Sequence, residues 1–278
     1  MTLRAAMSSS DFNYIRNLVR GQSALTLDPG KEYLVESRLD PLARHEGFPS
    51  YHQLVATLRF GPFRDLHRKV VEAMTTNETS FFRDARVFAM LAKSILPALV
   101  AGRSAERSLN IWCAACSTGQ EPYSVAMLLR ECQPSLERWN IRILASDISR
   151  NVLTRAHAGR YNQMEVNRGL PAHLLVRYFE QHGQWWEIRP EIRRMVEFRE
   201  TNLIQPWHDL PGMHVSLMRN VLIYLDLETK RTILERAGRL LDRRGYLLLG
   251  GAETTMNLDD SFEPVSFEGA VCFRRRQT

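Results

Sequence analysis

The sequence predicts an α/β protein in which an all-helical module precedes an open, mostly parallel sheet. That sheet carries a small antiparallel β-insertion and ends in an antiparallel hairpin. Three observations predict this. First, residues 109–124, LNIWCAACSTGQEPYS, read as an apolar strand, a small-residue turn and a helix start. An open α/β sheet presents its backbone to a nucleotide-like ligand in this way. Second, no strand pattern appears before Asn110, whereas helical periodicity runs through the first quarter of the chain. Third, apolar strand-length runs alternate with amphipathic helices from Asn110 to Gly250. The runs Phe262–Val265 and Ala270–Phe273 then flank Glu268-Gly269 as a hairpin.

The chain has 278 residues, enough for one large α/β domain and a smaller one. Its 44% hydrophobic and 24% charged content is that of a globular protein and excludes wholesale disorder. No apolar run is read as long enough to cross a bilayer and no signal-type segment opens the chain, so a cytoplasmic protein without membrane insertion is expected. The net charge of +6 suits an acidic partner but does not choose between nucleic acid, an anionic membrane and an acidic protein face. A solvated surface accounts for it equally well. Cys113 and Cys116 form a C-x-x-C, with Cys132 and Cys272 elsewhere. No second pair or histidine pair completes a zinc site, so no metal is expected and the two read as small buried hydrophobes.

In chain order, the first helix is expected from Asp11, capped by Ser10 or Asp11, with Phe12, Ile15, Leu18 and Val19 inward and Gly21 ending it. A second runs from Lys31 to His45 with Tyr33, Leu34, Leu39 and Leu42 inward, kinked or divided by Pro41. A third covers Ser50–Arg59 with Ser50 as cap, and a fourth Phe63–Met74. The segment MTTNETSFFRD, residues 74–84, turns from polar to aromatic. Thr76, Asn77 or Thr79 can cap helices there. Asn77, Thr79 and Arg83 are also side chains suited to carboxylate or hydroxyl recognition, pinned by Phe81 and Phe82. A helix from Arg83 to Ala101 then leads to the opening strand.

After a helix over Glu121–Glu131, the apolar run Ile141–Ala145 ends at Ser146-Asp147. Asp147 lies 28 residues after Gly119, the spacing of an acid that closes the second strand and accepts ribose hydroxyls. Ser149 is the better cap for the helix Arg150–Gly159, which leaves Asp147 free. Residues 161–198 read as an insertion of two or three short strands, with Trp185, Trp186, Ile188, Met195, Val196 and Phe198 as strand residues, Gly183 at one turn and Pro190 at another. Thr201-Asn202-Leu203 returns the chain to the sheet. Val215–Met218 is a buried strand leading into Arg219-Asn220-Val221-Leu222-Ile223-Tyr224. A helix over Leu227–Leu241 and a strand over Tyr246–Gly250 follow. A terminal hairpin after parallel units is typical of methyltransferases that use S-adenosylmethionine and unlike most dinucleotide dehydrogenases.

An ordered set of segments resembles the CheR-type chemotaxis receptor methyltransferases, which are protein-glutamate O-methyltransferases. The segments are GKEYLVESRL (residues 30–39), TTNETSFFRD (75–84), WCAACSTGQEPYS (112–124), SDIS (146–149), TNL (201–203) and RNVLIYLD (219–226). The resemblance implies a helical receptor-docking domain over 1–74, a linker and lead-in helix over 75–108, and a methyltransferase domain over 109–278 with its β-subdomain at about 161–200. It implies S-adenosylmethionine as cofactor, with S-adenosylhomocysteine as product. Asn77, Thr79 and Arg83 would contact its amino-acid part, Glu121 would sit near its ammonium, and Asp147 would hold the ribose. Asn202 and Leu203 would flank the adenine, and Asn220 and Val221 would line the pocket. Arg83 and Tyr224 are the catalytic candidates, orienting substrate and methyl group. Arg38, Arg44 and Arg59 would steer onto the glutamate-bearing cytoplasmic helices of methyl-accepting receptors.

Two departures from the family pattern stand out. The turn near Gly183 is short, which predicts no tight tether to a receptor's C-terminal pentapeptide. His214 stands where an Asp is expected, which predicts a lost local contact. The protein is expected to be monomeric. A nucleic-acid methyltransferase is disfavoured because Arg219–Tyr224 replaces an Asn-Pro-Pro-aromatic block, and a dehydrogenase because no G-x-G-x-x-G is present. A non-catalytic cofactor- or nucleotide-binding module docking to a receptor array is the alternative.

Overall fold

The computed structural model describes residues 7–132, 136 and 138–276. They form two compact units, one of the described residues up to Thr76 with Tyr224–Asp226, the other of those from Asn77 to Ile223 and from Leu227 onward.

The first unit is built from α1 (Ser9–Ser23), α2 (Glu32–His45), α3 (Tyr51–Phe60) and α4 (Asp65–Met74). Their apolar stripes meet in one core that includes Phe12, Ile15, Val19, Val35, Leu39, Leu54, Leu58 and Val70. Ser8, not Ser10 or Asp11, caps α1, its Oγ accepting from Asp11 N at 3.0 Å. α1 also runs past Gly21 and ends at Ala24 in the left-handed conformation. A glycine inside a helix costs only about 1 kcal/mol, which the buried Val19 and Ser23 on either side offset. Pro41 lies inside α2 without dividing it. Tyr33 is 65% exposed and Val35 occupies the core in its place. Ser50 caps α3 as expected, accepting from Gln53 N. The segment 224–226 joins this unit through an antiparallel bridge between Leu25 and Leu225. Thr26 N and Oγ1 both donate to Tyr224 O, at 3.0 and 3.1 Å.

The second unit opens with α5 (Ala85–Met90), a π-helical turn (Leu91–Ile95) and α6 (Leu96–Gly102) as one helical stretch. By length and composition this stretch alone, among the described residues, is long and apolar enough to cross a membrane, with a mean hydropathy of 1.5. That corrects the expectation that no run would qualify. Phe88, Leu91, Ile95, Leu96 and Leu99 on it are buried in the core of the second unit.

There follow β1 (Ser108–Ala114), α7 (Gln120–Cys132), β2 (Asn140–Asp147), α8 (Arg150–Ala158), β3 (Arg160–Asn162), α9 (Gln163–Asn167), α10 (Ala172–Tyr178), β4 (Phe179–His182), β5 (Trp185–Ile188), α11 (Pro190–Arg193), β6 (Val196–Glu200), β7 (Met213–Met218), α12 (Leu227–Leu240), β8 (Leu241–Leu249), β9 (Phe262–Phe267) and β10 (Ala270–Arg275).

The main sheet has the order β6-β2-β1-β7-β8-β10-β9. Its first five strands are parallel, and β10 pairs antiparallel with β8 and with β9. From β1 the chain builds outward through β2 to β6, then returns to place β7 on the other flank of β1. The order therefore reverses between β1 and β7, and in open α/β sheets ligands bind beyond the strand C-termini at such a switch point. Trp112 is fully buried and still satisfied, its Nε1 donating to Ser146 Oγ at 2.9 Å.

A second sheet, β3-β5-β4, is the antiparallel insertion. Trp185, Trp186 and Ile188 lie in it as expected. Val196 and Phe198 do not: they lie in β6, parallel to β2 at the edge of the main sheet, with Met195 just before it. A five-residue strand with only two apolar residues, VEFRE, fits either sheet by periodicity alone, and its pairing to Ile143–Asp147 decides the matter. Helices α9 and α10, between β3 and β4, were not expected.

Candidate active site

The C-terminal edge of the parallel strands gathers most of the sequence-predicted residues. The turn between β1 and α7 winds through left-handed backbone at Ala115 (φ 53°), Ser117 (φ 51°) and Gly119 (φ 92°). Only glycine is free of strain there, and at Gly119 a Cβ would also stand 3.0 Å from Ala156 Cβ and 3.2 Å from both Tyr123 Cε2 and Tyr161 Oη. Ala115 and Ser117 hold costly conformations, a pattern that clusters at functional sites. The turn is held from all sides. Cys116 N donates to Ser146 O at 2.9 Å, and Ser117 Oγ donates to Asn77 O at 2.8 Å. Tyr161, fully buried in the insertion, donates its hydroxyl to Thr118 O at 2.8 Å. Phe81 packs edge-on to Tyr161 and Phe179 at 4.9 and 5.7 Å, so the 77–84 segment, the turn and the insertion share one aromatic joint.

Asp147 closes β2 and is buried. It is not free, as the sequence suggested: Oδ2 accepts from Ser117 N at 2.9 Å and Oδ1 from Ser149 N at 3.0 Å. Those bonds fix a carboxylate at the strand end directly beside the turn. Ser149 caps α8 as expected, accepting from Val152 N.

Glu121, in the first turn of α7, lies in a buried cluster with a residue that the sequence motifs did not single out. Arg219 Nη1 donates to Glu121 Oε2 at 2.8 Å, and Nη2 donates to Arg83 O at 2.9 Å and ion-pairs with Asp84. Burial pushes the Glu121 carboxyl above the usual range, and Arg219 pulls it back. Burial also opposes the charge on Arg219, but Glu121 and Asp84 outweigh it and leave the guanidinium more basic than usual. The signal for Arg219 was present: a charged residue directly after the mostly apolar run Val215–Met218 needs a partner of opposite sign.

Arg83 donates to Glu78 O at 3.2 Å, and its Nη2 lies 3.9 Å from Glu78 Oε2, which places it beside Arg168 of the insertion, also paired with Glu78. Asn77 is exposed and Thr79 half-buried on the same segment. No helix forms until Ala85, so neither caps one.

Asn220 follows β7 in a left-handed conformation, φ 57°, with Val221 next to it. Glu253, unremarked in the sequence, holds this turn by accepting from Asn220 N at 2.8 Å, Gly250 N at 2.7 Å and Ile223 N at 3.2 Å. Asn202 and Leu203 follow β6. Thr201 N donates to Asp147 O at 2.9 Å, so this loop starts alongside the acid of β2.

The remaining candidates, Tyr224, Arg38, Arg44 and Arg59, belong to the first unit. Arg38 is half-buried and donates to the carbonyls of Met74 and Thr75 and to Thr76 Oγ1. Burial lowers its pKa, and Tyr224 partly offsets that. Arg59 pairs with Asp11 at 3.0 Å and lies over the Tyr14 ring. Arg44, in the last turn of α2, is exposed. Two of the three expected docking arginines are thus engaged in holding their own unit.

His214 does not lose its contact. It lies within β7, and Nδ1 accepts from Asn110 N at 2.7 Å. Cys113 and Cys116 are buried thiols pushed well above the usual range by burial, and no group of residues suited to a metal ion occurs among the described residues.

The donor set fits a nucleoside carrying an ammonium group better than a polyphosphate. Two acids, Asp147 and Glu121, stand at the edge, while the turn holds one glycine and no lysine. Phosphates require a glycine-rich cradle and cations.

Comparison with known proteins agrees. Residues 77–271 match the family model described as CheR methyltransferase, SAM binding domain, and residues 10–75 match CheR methyltransferase, all-alpha domain. Chemotaxis protein methyltransferase 1 of Pseudomonas aeruginosa is 38% identical over 275 residues, covering 97% of this chain and 99% of that protein. Chemotaxis protein methyltransferase Cher2 of Pseudomonas putida is 36% identical over 270 residues, covering 96% and 98%. Chemotaxis protein methyltransferase 1 of Vibrio cholerae is 35% identical over 272 residues, again covering 96% and 98%. With both of its units matched in order and a strand edge that suits S-adenosylmethionine, the chain belongs to the CheR methyltransferase family.

Proposed function

We propose that this protein methylates glutamate side chains on the cytoplasmic helical region of methyl-accepting chemoreceptors, forming the methyl esters used in sensory adaptation. The observation that carries the reading is the acidic strand edge, Asp147 beside the β1–α7 turn with Glu121 at the start of α7, in a chain matched to the family's cofactor-binding domain.

S-adenosylmethionine, when bound, supplies a methyl group on a positively charged sulfur. Asp147 accepts from the ribose, and Glu121, kept in place by Arg219, faces the ammonium. Asn202 and Leu203 flank the adenine, Asn220 and Val221 line the pocket, and Asn77, Thr79 and Arg83 hold the amino-acid end. A free glutamate side chain titrates at about pH 4.3 and is already ionised at neutral pH, so no general base is needed. The work of the site is alignment, with reacting atoms brought to about 3–3.5 Å. Arg83 orients the anionic side chain and Tyr224 sets the methyl geometry.

The protein acts in the cytoplasm, as a monomer, without a tight tether to a receptor's C-terminal pentapeptide. The short two-residue turn Gly183-Gln184 between β4 and β5 supports the last point. Arg44, the exposed member of the basic set, meets the receptor helices.

Incubation with methyl-labelled cofactor and receptor-containing membranes tests the reading. Base-labile label on receptor glutamates is expected. Label on nucleic acid, or none on protein, overturns it.

A further inference from the structure

On the edge of the main sheet opposite the strand C-termini lies a second concavity, of about 200 Å³, between the end of α6 and strands β8 and β10. Leu99 and Gly102 form one wall and Tyr246 another, and three arginines, Arg103, Arg244 and Arg274, line the rest. Three guanidinium groups around one small space repel each other unless something negative lies among them. The protein supplies one carboxylate: Asp242 pairs with Arg103 at 2.7 Å. The carboxylate of Asp242 is also fixed by Arg244, but through the backbone N–H, at 3.0 Å, and not through the guanidinium.

Arg274 lies over the Tyr246 ring at 5.4 Å, a contact that orients the group without neutralising it. The Nε–H groups of Arg103 and Arg274 are both buried without an acceptor. Buried donors are almost always satisfied, and these two belong to side chains that line the cavity.

We infer that this concavity binds an oxyanion, a phosphate group or a short phosphate chain, held by Arg244 and Arg274 and backed by the Arg103–Asp242 pair. Arginine forks match phosphate oxygens two at a time, and the planar groups already present are of that kind. The volume sets the size of ligand. Pockets for drug-sized molecules run from about 300 Å³ upward, so this one takes inorganic phosphate, pyrophosphate or the phosphate end of a larger molecule. Arg103 stands at the end of α6 and Arg244 and Arg274 on β8 and β10, so a bound anion ties the lead-in helix to the hairpin side of the sheet, away from the acidic edge.

Isothermal titration of the full chain with sodium pyrophosphate, at 0.15 M sodium chloride, tests this. One site is expected, weakened at least tenfold by Arg244→Gln and by Arg274→Gln, with partial recovery in Arg244→Lys. Arg244 is exposed, so its substitution leaves the fold intact, and circular dichroism checks this. S-adenosylhomocysteine at saturation should leave pyrophosphate affinity unchanged. Inorganic phosphate titrated in parallel separates a single phosphate from a phosphate chain as the preferred ligand, and binding of either at this site supports the inference. No binding of either anion at millimolar concentration overturns it. So does an affinity unchanged from the native protein in both glutamine variants, or displacement of pyrophosphate by S-adenosylhomocysteine, which would put the anion at the cofactor edge.

Discussion

Arg219 and Glu121, 98 positions apart in sequence, meet in a 2.8 Å ion pair with both side chains almost wholly buried. One directly follows β7 and the other lies in the first turn of α7, so the pair spans the point where the strand order reverses. Removing one partner of a buried pair costs about 3–5 kcal/mol, because the other charge is left without compensation. Arg219→Gln should reach that range in urea unfolding. Glu121→Gln leaves Arg219 with Asp84 and should cost clearly less, while weakening S-adenosylhomocysteine binding. Equal losses would show that Asp84 takes no share of the charge.

Gly119→Ala places a methyl group 3.0 Å from Ala156 Cβ and forces an alanine to φ 92°. Overpacking of this kind costs about 1–3 kcal/mol, and the left-handed strain adds to it. Cofactor affinity should fall with stability in calorimetry. A neutral result would mean that the turn relaxes without consequence.

Tyr161→Phe removes the one hydroxyl by which the insertion grips Thr118 O. A buried carbonyl left unsatisfied costs about 1–3 kcal/mol. Because the loss falls on the turn, S-adenosylhomocysteine affinity should drop even at temperatures where the protein remains folded. Unchanged affinity would separate the insertion from the site.

His214 predicts an acid-side loss of stability. Burial, with Arg103 nearby, pushes its pKa below 6.5, and Asp242 and Glu106 only partly oppose this. The unfolded chain therefore takes up the proton first. Stability is unaffected above about pH 6.5 and declines as the pH falls from there toward the folded pKa. Protonation also removes the acceptor for Asn110 N. Urea midpoints at pH 5.5 and 7.5 should differ more for the native protein than for His214→Asn.

Arg44→Glu should slow receptor methylation without changing cofactor affinity, whereas Arg38→Glu and Arg59→Glu should also lower the melting temperature of the helical unit. Arg38 and Arg59 are bonded within that unit, so only the exposed arginine reports on docking alone. Full receptor methylation by Arg44→Glu would place the docking surface elsewhere.

The elements themselves were largely legible. β1, β2, β7, the terminal hairpin and the four N-terminal helices announce themselves by periodicity, and Ser50 and Ser149 by their caps. β6 was misassigned because Met195–Phe198 is short, and only its pairing with β2 tells an edge strand from the insertion. At the proposed site, spacing singled out Asp147, and the family resemblance singled out Glu121. Their partners were not singled out. Ser117 N, Arg219 and Glu253 are bound to them or to the neighbouring turn by tertiary geometry alone. The expectation of a free Asp147 failed for the same reason, since capping by Ser149 says nothing about which backbone amides the acid itself collects. Arg38 shows the converse: its charge was visible, but not the carbonyls of residues 74 and 75 that occupy it.

The bond from Tyr161 to Thr118 also bears on modular exchange. An insertion transplanted from a relative would arrive as part of the wall of the cofactor turn, not as an appended module. A chimera that carries a new β-sheet but no hydroxyl at position 161 should fold its insertion and still bind S-adenosylmethionine poorly. The insertion and the cofactor turn are therefore exchanged together or not at all in this chain, through a single phenol.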